Sequence, residues 1–246
     1  MDEAKLRVCQ LPRAWGIPNP SPFCMKLEAW LRMANIPHEM RTLAGPPRSP
    51  TGKAPYVEHP DGRLLTDTSL IIQTLTRERK VALDSSLDAA ERAKLVALQR
   101  VFEEHLYWII VIDRWLPDEQ WAKTKRAYFG GMPAPLRWLV PAWLRRSVRR
   151  DVHGQGLGRL ERAQLLSRAQ QDLEALSAML GDQHYFLGRR TSIDAIALAF
   201  LSNIYLVPID GVLAEAARPL ANLRRYTHQL FSEVFPEYPL PAAAGG

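Results

Sequence analysis

The sequence predicts an α/β domain followed by an all-helical domain, and three observations predict this order. Short runs with strand character alternate with short helices in the first third of the chain. Strand signals then disappear, and apolar residues recur at helical spacing through the rest of the chain. The chain has 246 residues, of which 47% are apolar, enough to give each part its own hydrophobic core. We place the boundary so that the predicted domains span residues 1–82 and 83–246.

The first domain is predicted to be a βαβ unit followed by a ββα unit, which together form a small mixed sheet. Its first helix begins at Ser21-Pro22, because serine is a favoured N-cap and proline suits the first helical position. Apolar residues at helical spacing predict that one face of this helix is buried. The predicted elements are, in order, a strand over Leu6–Leu11, a helix from Ser21 to Pro37, strands over His38–Leu43, Tyr56–Glu58 and Arg63–Thr66, and a helix over Thr68–Arg77.

The second domain is predicted from helical periodicity alone. Thr191 stands three residues before Asp194 and directly ahead of an apolar run, which is the pattern of an N-terminal capping box. The stretch from Pro117 to Gly158 is rich in glycine and proline, and we expect it to be irregular with short helices. Longer helices are predicted over Ala89–Leu116, along Leu166–Leu180, over Ile193–Val207 and over Leu220–Phe235.

Composition excludes several classes of protein. The longest apolar run, Ala195–Leu201, is far shorter than the roughly 20 residues of a membrane span. Only Cys9 and Cys24 are present, so a disulfide scaffold and a cysteine zinc cluster are excluded, and we expect no metal. Residues Met1–Lys5 lack the apolar stretch of a signal peptide, and we expect a cytoplasmic protein.

The formal net charge is +6, and the densest basic stretch, Arg137–Arg150, holds five arginines and no acidic residue. Such a stretch is either a solvated helix face or a weak contact for a membrane surface. No nucleic-acid-binding motif accompanies it, so we expect no nucleic-acid partner.

The first candidate site residues are Ser21 and Cys24, where a loop enters the first helix. A helix N-terminus offers unpaired N–H groups and partial positive charge, which stabilise a thiolate. The Ser21 hydroxyl suits hydrogen bonding to a cofactor thiolate, whereas Cys24 could form a mixed disulfide. The alternative is that Ser21 is a plain N-cap and Cys24 a small buried apolar residue.

Two further candidate segments follow. A cis peptide bond before Pro55 would leave the backbone N–H and C=O of Ala54 free to pair with a peptide-like ligand. Asp67 and Thr68, at the start of the next helix, suit the ammonium and carboxylate of an amino acid. The alternatives are a turn proline and a simple capping segment.

Together, these three segments resemble the thioredoxin-like domain of the cytosolic glutathione transferases. The capping pattern of Thr191 and Asp194 resembles that of the helical domain in the same superfamily, so the resemblance covers nearly the whole chain. Within the superfamily, residues 21–37 and 132–158 look most like the metaxin and failed-axon-connections branch, in its bacterial members.

The resemblance implies a thioredoxin-like domain that binds glutathione as co-substrate. Asp67 and Thr68 would hold its γ-glutamyl group, and Ala54 before cis-Pro55 its cysteinyl group. Lys53 would reach the glycyl carboxylate, and Ser21 would activate the sulfur. The family usually has serine where this chain has Thr68.

Arg190 replaces the apolar residue that often precedes the helix cap in this superfamily. We also expect a pocket for a small apolar electrophile between the domains, and a homodimer, as is usual in the superfamily. The aromatic candidates for the pocket walls are Trp15, Tyr107, Trp108 and Trp115.

Three functions remain open from the sequence. The first is a glutathione transferase in which Ser21 stabilises the glutathione thiolate for attack on an apolar electrophile. The second is a non-catalytic, metaxin-like interaction module at a membrane surface, with Arg137–Arg150 as the contact. The third is a glutathione-dependent thiol reductase that uses Cys24.

Overall fold

A four-stranded mixed sheet forms the first part of the fold in the computed structural model, which describes residues 5–240. The strands are β1 (Leu6–Gln10), β2 (His38–Thr42), β3 (Tyr56–Glu58) and β4 (Leu64–Thr66), and their order in the sheet is β2-β1-β3-β4. Strand β1 pairs in parallel with β2, with Leu6 opposite His38, and β3 pairs antiparallel with both β1 and β4. This is the predicted βαβ–ββα arrangement.

Two helices accompany the sheet, α1 (Pro22–Met33) and α2 (Thr68–Arg79). Helix α1 is buried on almost every side, and even Lys26 and Glu28 are fully buried. The face expected to be buried is buried, with Leu27, Trp30 and Leu31 at most 1% exposed. Burial extends beyond that face because α1 contacts α2 of its own domain and also α8 (Ser192–Tyr205) and α10 (Ala221–Val234) of the helical part.

The rest of the described chain is helical. The predicted helix over Ala89–Leu116 is present, but a π-helical turn at Val101–Leu106 divides it. None of the helices in residues 5–240 is both long and apolar enough to cross a membrane. These helices are α3 (Ala89–Arg100), α4 (Tyr107–Trp115), α5 (Asp118–Phe129), α6 (Leu136–Gln155), α7 (Arg162–Leu180), α8 (Ser192–Tyr205), α9 (Val212–Ala217) and α10 (Ala221–Val234).

The expectation for residues 117–158 was wrong in one respect, because α6 is a 20-residue helix rather than a short one. Pro141 lies inside it, where proline removes one helical hydrogen bond. Contacts from outside compensate for this loss. Arg145 donates to the carbonyl oxygens of Trp115 (2.8 Å) and Leu116 (2.7 Å) and pairs with Asp118. These bonds hold α6 against the end of α4 and the start of α5.

Helix α8 is the centre of the helical part, and nearly all of its side chains are buried. The capping box expected at its N-terminus is present, with the Thr191 N–H donating to Asp194 Oδ2 at 2.9 Å. The other oxygen of Asp194 accepts from Tyr226 Oη at 2.9 Å. Arg190, which precedes this cap, forms an ion pair with Glu233. The apolar contact expected at this position is therefore replaced by a charged one.

Candidate active site

The Ser21 side chain caps the N-terminus of α1. Its backbone is extended, and its Oγ accepts a hydrogen bond from the Cys24 N–H at 3.4 Å. The Ser21 N–H donates to Asn19 Oδ1 at 3.0 Å, and the Asn19 Nδ2 donates to the Leu11 carbonyl at 2.8 Å. As an acceptor in the cap, the hydroxyl keeps its proton free to donate to a ligand.

Residues of the helical part fix the loop that leads to Ser21. Arg114, which is buried, donates to the carbonyl of Pro20 and, at 2.8 Å, to Asn203 Oδ1. The Asn203 Nδ2 in turn donates to the carbonyl of Asn19 at 3.3 Å. Tyr128 Oη also donates to the Pro20 carbonyl. The position of Ser21 therefore depends on side chains from α4, α5 and α8.

Cys24 lies inside the first turn of α1 and is fully buried. Burial raises the pKa of its thiol to about 11. A reactive cysteine is partly exposed and has a depressed pKa, because the thiolate is the nucleophile. The Cys24 thiol thus has the properties of an inert, buried residue.

The Ala54–Pro55 peptide bond is cis, as expected. Ser49 holds the preceding residue, since its Oγ donates to the Lys53 carbonyl at 2.7 Å and accepts from the Lys53 N–H at 3.1 Å. The Lys53 side chain is exposed. Within residues 5–240, the backbone N–H and C=O of Ala54 have no hydrogen-bond partner. These two groups are available to an extended peptide-like ligand.

Asp67 caps α2 from a strained backbone conformation. Its φ is 64° and its ψ 121°, a region that non-glycine residues seldom adopt and that is often associated with ligand-binding sites. Asp67 Oδ1 accepts from the N–H groups of Ser69 (2.9 Å) and Leu70 (3.1 Å). The Thr68 N–H has no partner among the described residues. An exposed carboxylate and a free N–H therefore lie together at the start of α2.

A buried polar cluster lies beneath this helix start. The ammonium of Lys26 donates to Thr68 Oγ1 at 3.0 Å and to Ser69 Oγ at 3.2 Å, and it pairs with Glu103 at 2.5 Å. Gln99 donates to the second Glu103 oxygen at 3.0 Å. Burial lowers the pKa of Lys26, and the Glu103 carboxylate opposes that shift. The cluster ties the Thr68 hydroxyl to α1 and to the helical part.

The four aromatic candidates for the electrophile pocket fall into two groups. The Tyr107 and Trp108 rings pack on each other, with centroids 5.5 Å apart, and the Tyr107 ring also contacts Phe23. The Trp15 and Trp115 rings both pack against Tyr128, at 5.5 Å and 6.2 Å. Tyr128 thus joins a residue of the first loop to the end of α4.

Sequence reasoning missed the polar residues that support the candidate residues. A signal for Lys26 existed, because it lies three residues after Phe23 and four before Trp30, on the face predicted to be buried. Arg114 likewise interrupts an apolar stretch of α4. The missed residues are Asn19, Lys26, Gln99, Glu103, Arg114, Tyr128 and Asn203.

Comparison with known families gives two matches along the chain. Residues 22–120 match the model of the glutathione S-transferase N-terminal domain, and residues 169–230 match that of the glutathione S-transferase C-terminal domain. An isoprene-epoxide–glutathione S-transferase of Rhodococcus is 33% identical over 88% of this chain and 94% of its own length.

Two further relatives belong to the metaxin and failed-axon-connections branch. Failed axon connections of Drosophila melanogaster is 30% identical over 82% of this chain and 50% of its own length. Mouse metaxin-1 is 27% identical over 92% of this chain and 75% of its own length.

Solved structures share the fold at low sequence identity. A glutathione S-transferase of Methylobacterium radiotolerans, in complex with glutathione sulfonate, superposes with a TM-score of 0.60 at 19% identity, covering 99% of this chain and 98% of the other. A transferase of Ceriporiopsis subvermispora, in complex with glutathione, gives 0.60 at 14% identity, covering 97% of this chain and 100% of the other. The fold, the two domain matches and the Rhodococcus relative agree, and the chain belongs to the glutathione S-transferase superfamily, with its affinities in the metaxin-like branch.

Proposed function

We propose that this protein is a glutathione transferase that activates the glutathione thiol through the Ser21 hydroxyl for attack on a small apolar electrophile. The observation that carries the proposal is the geometry of Ser21. Its oxygen caps α1 while its proton is free to donate, so a sulfur placed there would meet a hydroxyl donor and a helix N-terminus.

The chemistry follows from that placement. A hydrogen bond from Ser21 to the thiolate, together with the partial positive charge of the helix, favours the deprotonated form and lowers the thiol pKa. The thiolate electron pair then forms a carbon–sulfur bond to the electrophile. With an epoxide, the carbon–oxygen bond breaks, and the alkoxide takes up a proton to give a hydroxy thioether.

The rest of the glutathione molecule would be held by the other candidate residues. The Asp67 carboxylate suits the γ-glutamyl ammonium, and the free Thr68 N–H suits its carboxylate. The unpaired backbone of Ala54 suits the cysteinyl peptide, and the exposed Lys53 suits the glycyl carboxylate. Each assignment pairs an exposed or unpaired group with the part of the ligand that complements it.

The electrophile is proposed to be a small epoxide, supported by the isoprene-epoxide activity for which the Rhodococcus relative is named. The aromatic side chains Trp15, Tyr107, Trp108 and Trp115 would form its apolar surroundings. Burial raises the pKa of Tyr107, so its hydroxyl is protonated at neutral pH and can donate a hydrogen bond. We further propose a cytoplasmic homodimer.

The metaxin relatives favour a second candidate function, that of a non-catalytic binding module. In that case Ser21 is only a helix cap. The third function, a thiol reductase, has less support, because Cys24 is buried and its pKa is raised to about 11.

Calorimetric titration with glutathione tests the proposal. We expect the wild type to bind glutathione and Asp67→Asn to bind it at least about tenfold more weakly. Ser21→Ala should bind glutathione as tightly as wild type, but with little of the bound glutathione in the thiolate form. Asparagine at position 67 still accepts the cap hydrogen bonds, so a loss of binding would report the missing charge. Asp182→Ala, an exposed carboxylate at the end of α7, is the control. The absence of heat with wild type at millimolar glutathione would leave the binding module as the better description.

A further inference from the structure

The outward face of α6 carries large apolar side chains that nothing in the described part of the chain covers. Leu136, Leu139 and Trp143 recur at spacings of three and four, so they line one face of the helix. Their exposed fractions are 49%, 64% and 69%. Trp138 is also exposed but lies about 100° or more away from them around the helix axis. Isolated apolar residues are ordinary on a surface, but three on one face within about two turns of a helix form a patch.

Arginines continue the same face toward the C-terminus of α6. Arg146 and Arg150 follow Trp143 at spacings of three and seven, which extends the line of exposed side chains. The Arg146 side chain has no ion pair among residues 5–240, whereas Arg150 contacts Asp151 at 3.9 Å and donates to Ser147 Oγ at 3.3 Å. Outside this face, the Arg137 guanidinium lies over the Trp138 ring, at 4.9 Å from its centroid. One face is thus apolar in its first half and cationic in its second.

The opposite side of α6 anchors the helix, which shows that this face is not turned inward. Pro141 and Val152 are buried, and Arg145 is bonded to the end of α4 and to Asp118. Arg145 therefore has a structural role, whereas the side chains of Arg146 and Arg150 are exposed to a partner.

We propose that the exposed face of α6 binds an anionic lipid surface, with Leu136, Leu139 and Trp143 in the interface and Arg146 and Arg150 at the phosphate level. A helix that lies on a membrane combines apolar side chains, often including tryptophan, with arginine or lysine in this way. Tryptophan is enriched at the level of lipid headgroups, and arginine donates to phosphate oxygens in a planar fork.

The charge of the α6 face favours an anionic lipid surface over a second copy of the chain as its partner. Asp151, which contacts Arg150, is the one carboxylate of α6, so two α6 faces brought together would offer little opposing charge to their arginines. An anionic lipid surface supplies the opposite charge along its whole area. The inference does not depend on glutathione chemistry, because no residue of this face belongs to the candidate active site.

Vesicle flotation tests the proposal with the full-length chain. We expect wild type to float with vesicles of equal parts phosphatidylcholine and phosphatidylserine, to stay in solution with phosphatidylcholine alone, and to release at high salt. Leu139→Ser with Trp143→Ser, and separately Arg146→Gln with Arg150→Gln, should each weaken binding about tenfold or more.

Matched controls remove exposed apolar or arginine side chains from other helices. Met179→Ser takes away an exposed apolar side chain on α7, and Arg77→Gln with Arg168→Gln takes away two exposed charges and leaves the same net charge as the arginine variant. These controls should float like wild type. Thermal melting should be unchanged in all variants, because every altered side chain is exposed.

Two results would overturn the proposal. One is wild type that fails to float with the anionic vesicles, or α6 variants that float as well as wild type. The other is a change of molecular mass in solution on Leu139→Ser with Trp143→Ser, without lipid binding, which would make this face a contact between copies of the chain.

Discussion

The guanidinium of Arg114 donates a hydrogen bond to the backbone carbonyl of Pro20, 94 residues away in the sequence. Pro20 directly precedes Ser21, so a side chain of α4 fixes the backbone that carries the proposed thiol-activating hydroxyl. Arg114 is itself held by Asn203 of α8, whose carbonyl and side-chain oxygens both accept from it. The helical part thereby determines where the first turn of α1 begins.

Arg114→Lys should disturb this arrangement while it keeps the charge. Lysine lacks the planar fork that reaches Pro20 and Asn203 together, so we expect kcat with glutathione and a small epoxide to fall about tenfold to a hundredfold. The pKa of bound glutathione, measured by thiolate absorbance against pH, should rise. Arg126→Lys on α5 is the control. A loss of stability with an unchanged thiol titration would contradict a positioning role.

Ser21→Ala and Cys24→Ala should separate the two candidate residues of α1. If Ser21 stabilises the thiolate, its replacement should lower kcat/KM about a hundredfold, whereas Cys24→Ala should leave it nearly unchanged. Steady-state kinetics with glutathione and an epoxide measure both. The reverse pattern, in which only the Cys24 variant loses activity, would favour a thiol reductase.

The Lys26–Glu103 pair should show strong coupling in stability. Lys26→Met alone leaves the Glu103 carboxylate buried without its cation, and we expect a loss of about 3–5 kcal/mol in the free energy of unfolding. Adding Glu103→Gln removes the stranded charge and should recover most of that loss. Urea denaturation of the two single variants and the double variant measures the coupling. Additive losses would show that the two side chains act independently.

Asp113 should make stability depend on pH in the acidic range. It caps α9 by accepting from the N–H groups of Val212 and Leu213, and burial raises its pKa from 3.8 to about 6. Because the folded-state pKa is above the unfolded one, its contribution is fully present below about pH 4 and is lost as pH rises through about 6.

Comparison with Asp113→Asn isolates this contribution, because the variant cannot titrate at that position. Between about pH 4 and pH 7, wild type should lose about 1–3 kcal/mol of unfolding free energy relative to the variant. Urea denaturation at several pH values measures the difference. Parallel curves for the two proteins would mean that the group has an ordinary pKa.

Local signals predicted the elements of the fold because each depends on residues close together in the chain. Ser21-Pro22 marked the start of α1, and Thr191 with Asp194 marked that of α8. The prediction of short helices in the region of α6 was wrong because it relied on the glycine and proline content. Pro141 is tolerated inside α6, where Arg145 makes stabilising contacts with residues distant in the sequence.

The supporting residues of the candidate site could not be predicted in the same way. Lys26 meets Glu103 across 77 positions, and a pattern within one helix cannot indicate which distant side chain completes it. The sequence could show that a lysine lay on a buried face. Only the packing of α1 against the helical part shows that it contacts Thr68.

The π-helical turn at Val101–Leu106 sets the angular phase between α3 and α4. A π turn accommodates an extra residue in a helix, so removing one residue there would restore continuous α-helical geometry. Every side chain that follows would then rotate by about 100° around the axis relative to α3. Glu103 could then no longer contact Lys26 while Arg114 contacts Pro20. Chain length at this turn is therefore as strict a requirement for the site as the identity of its residues.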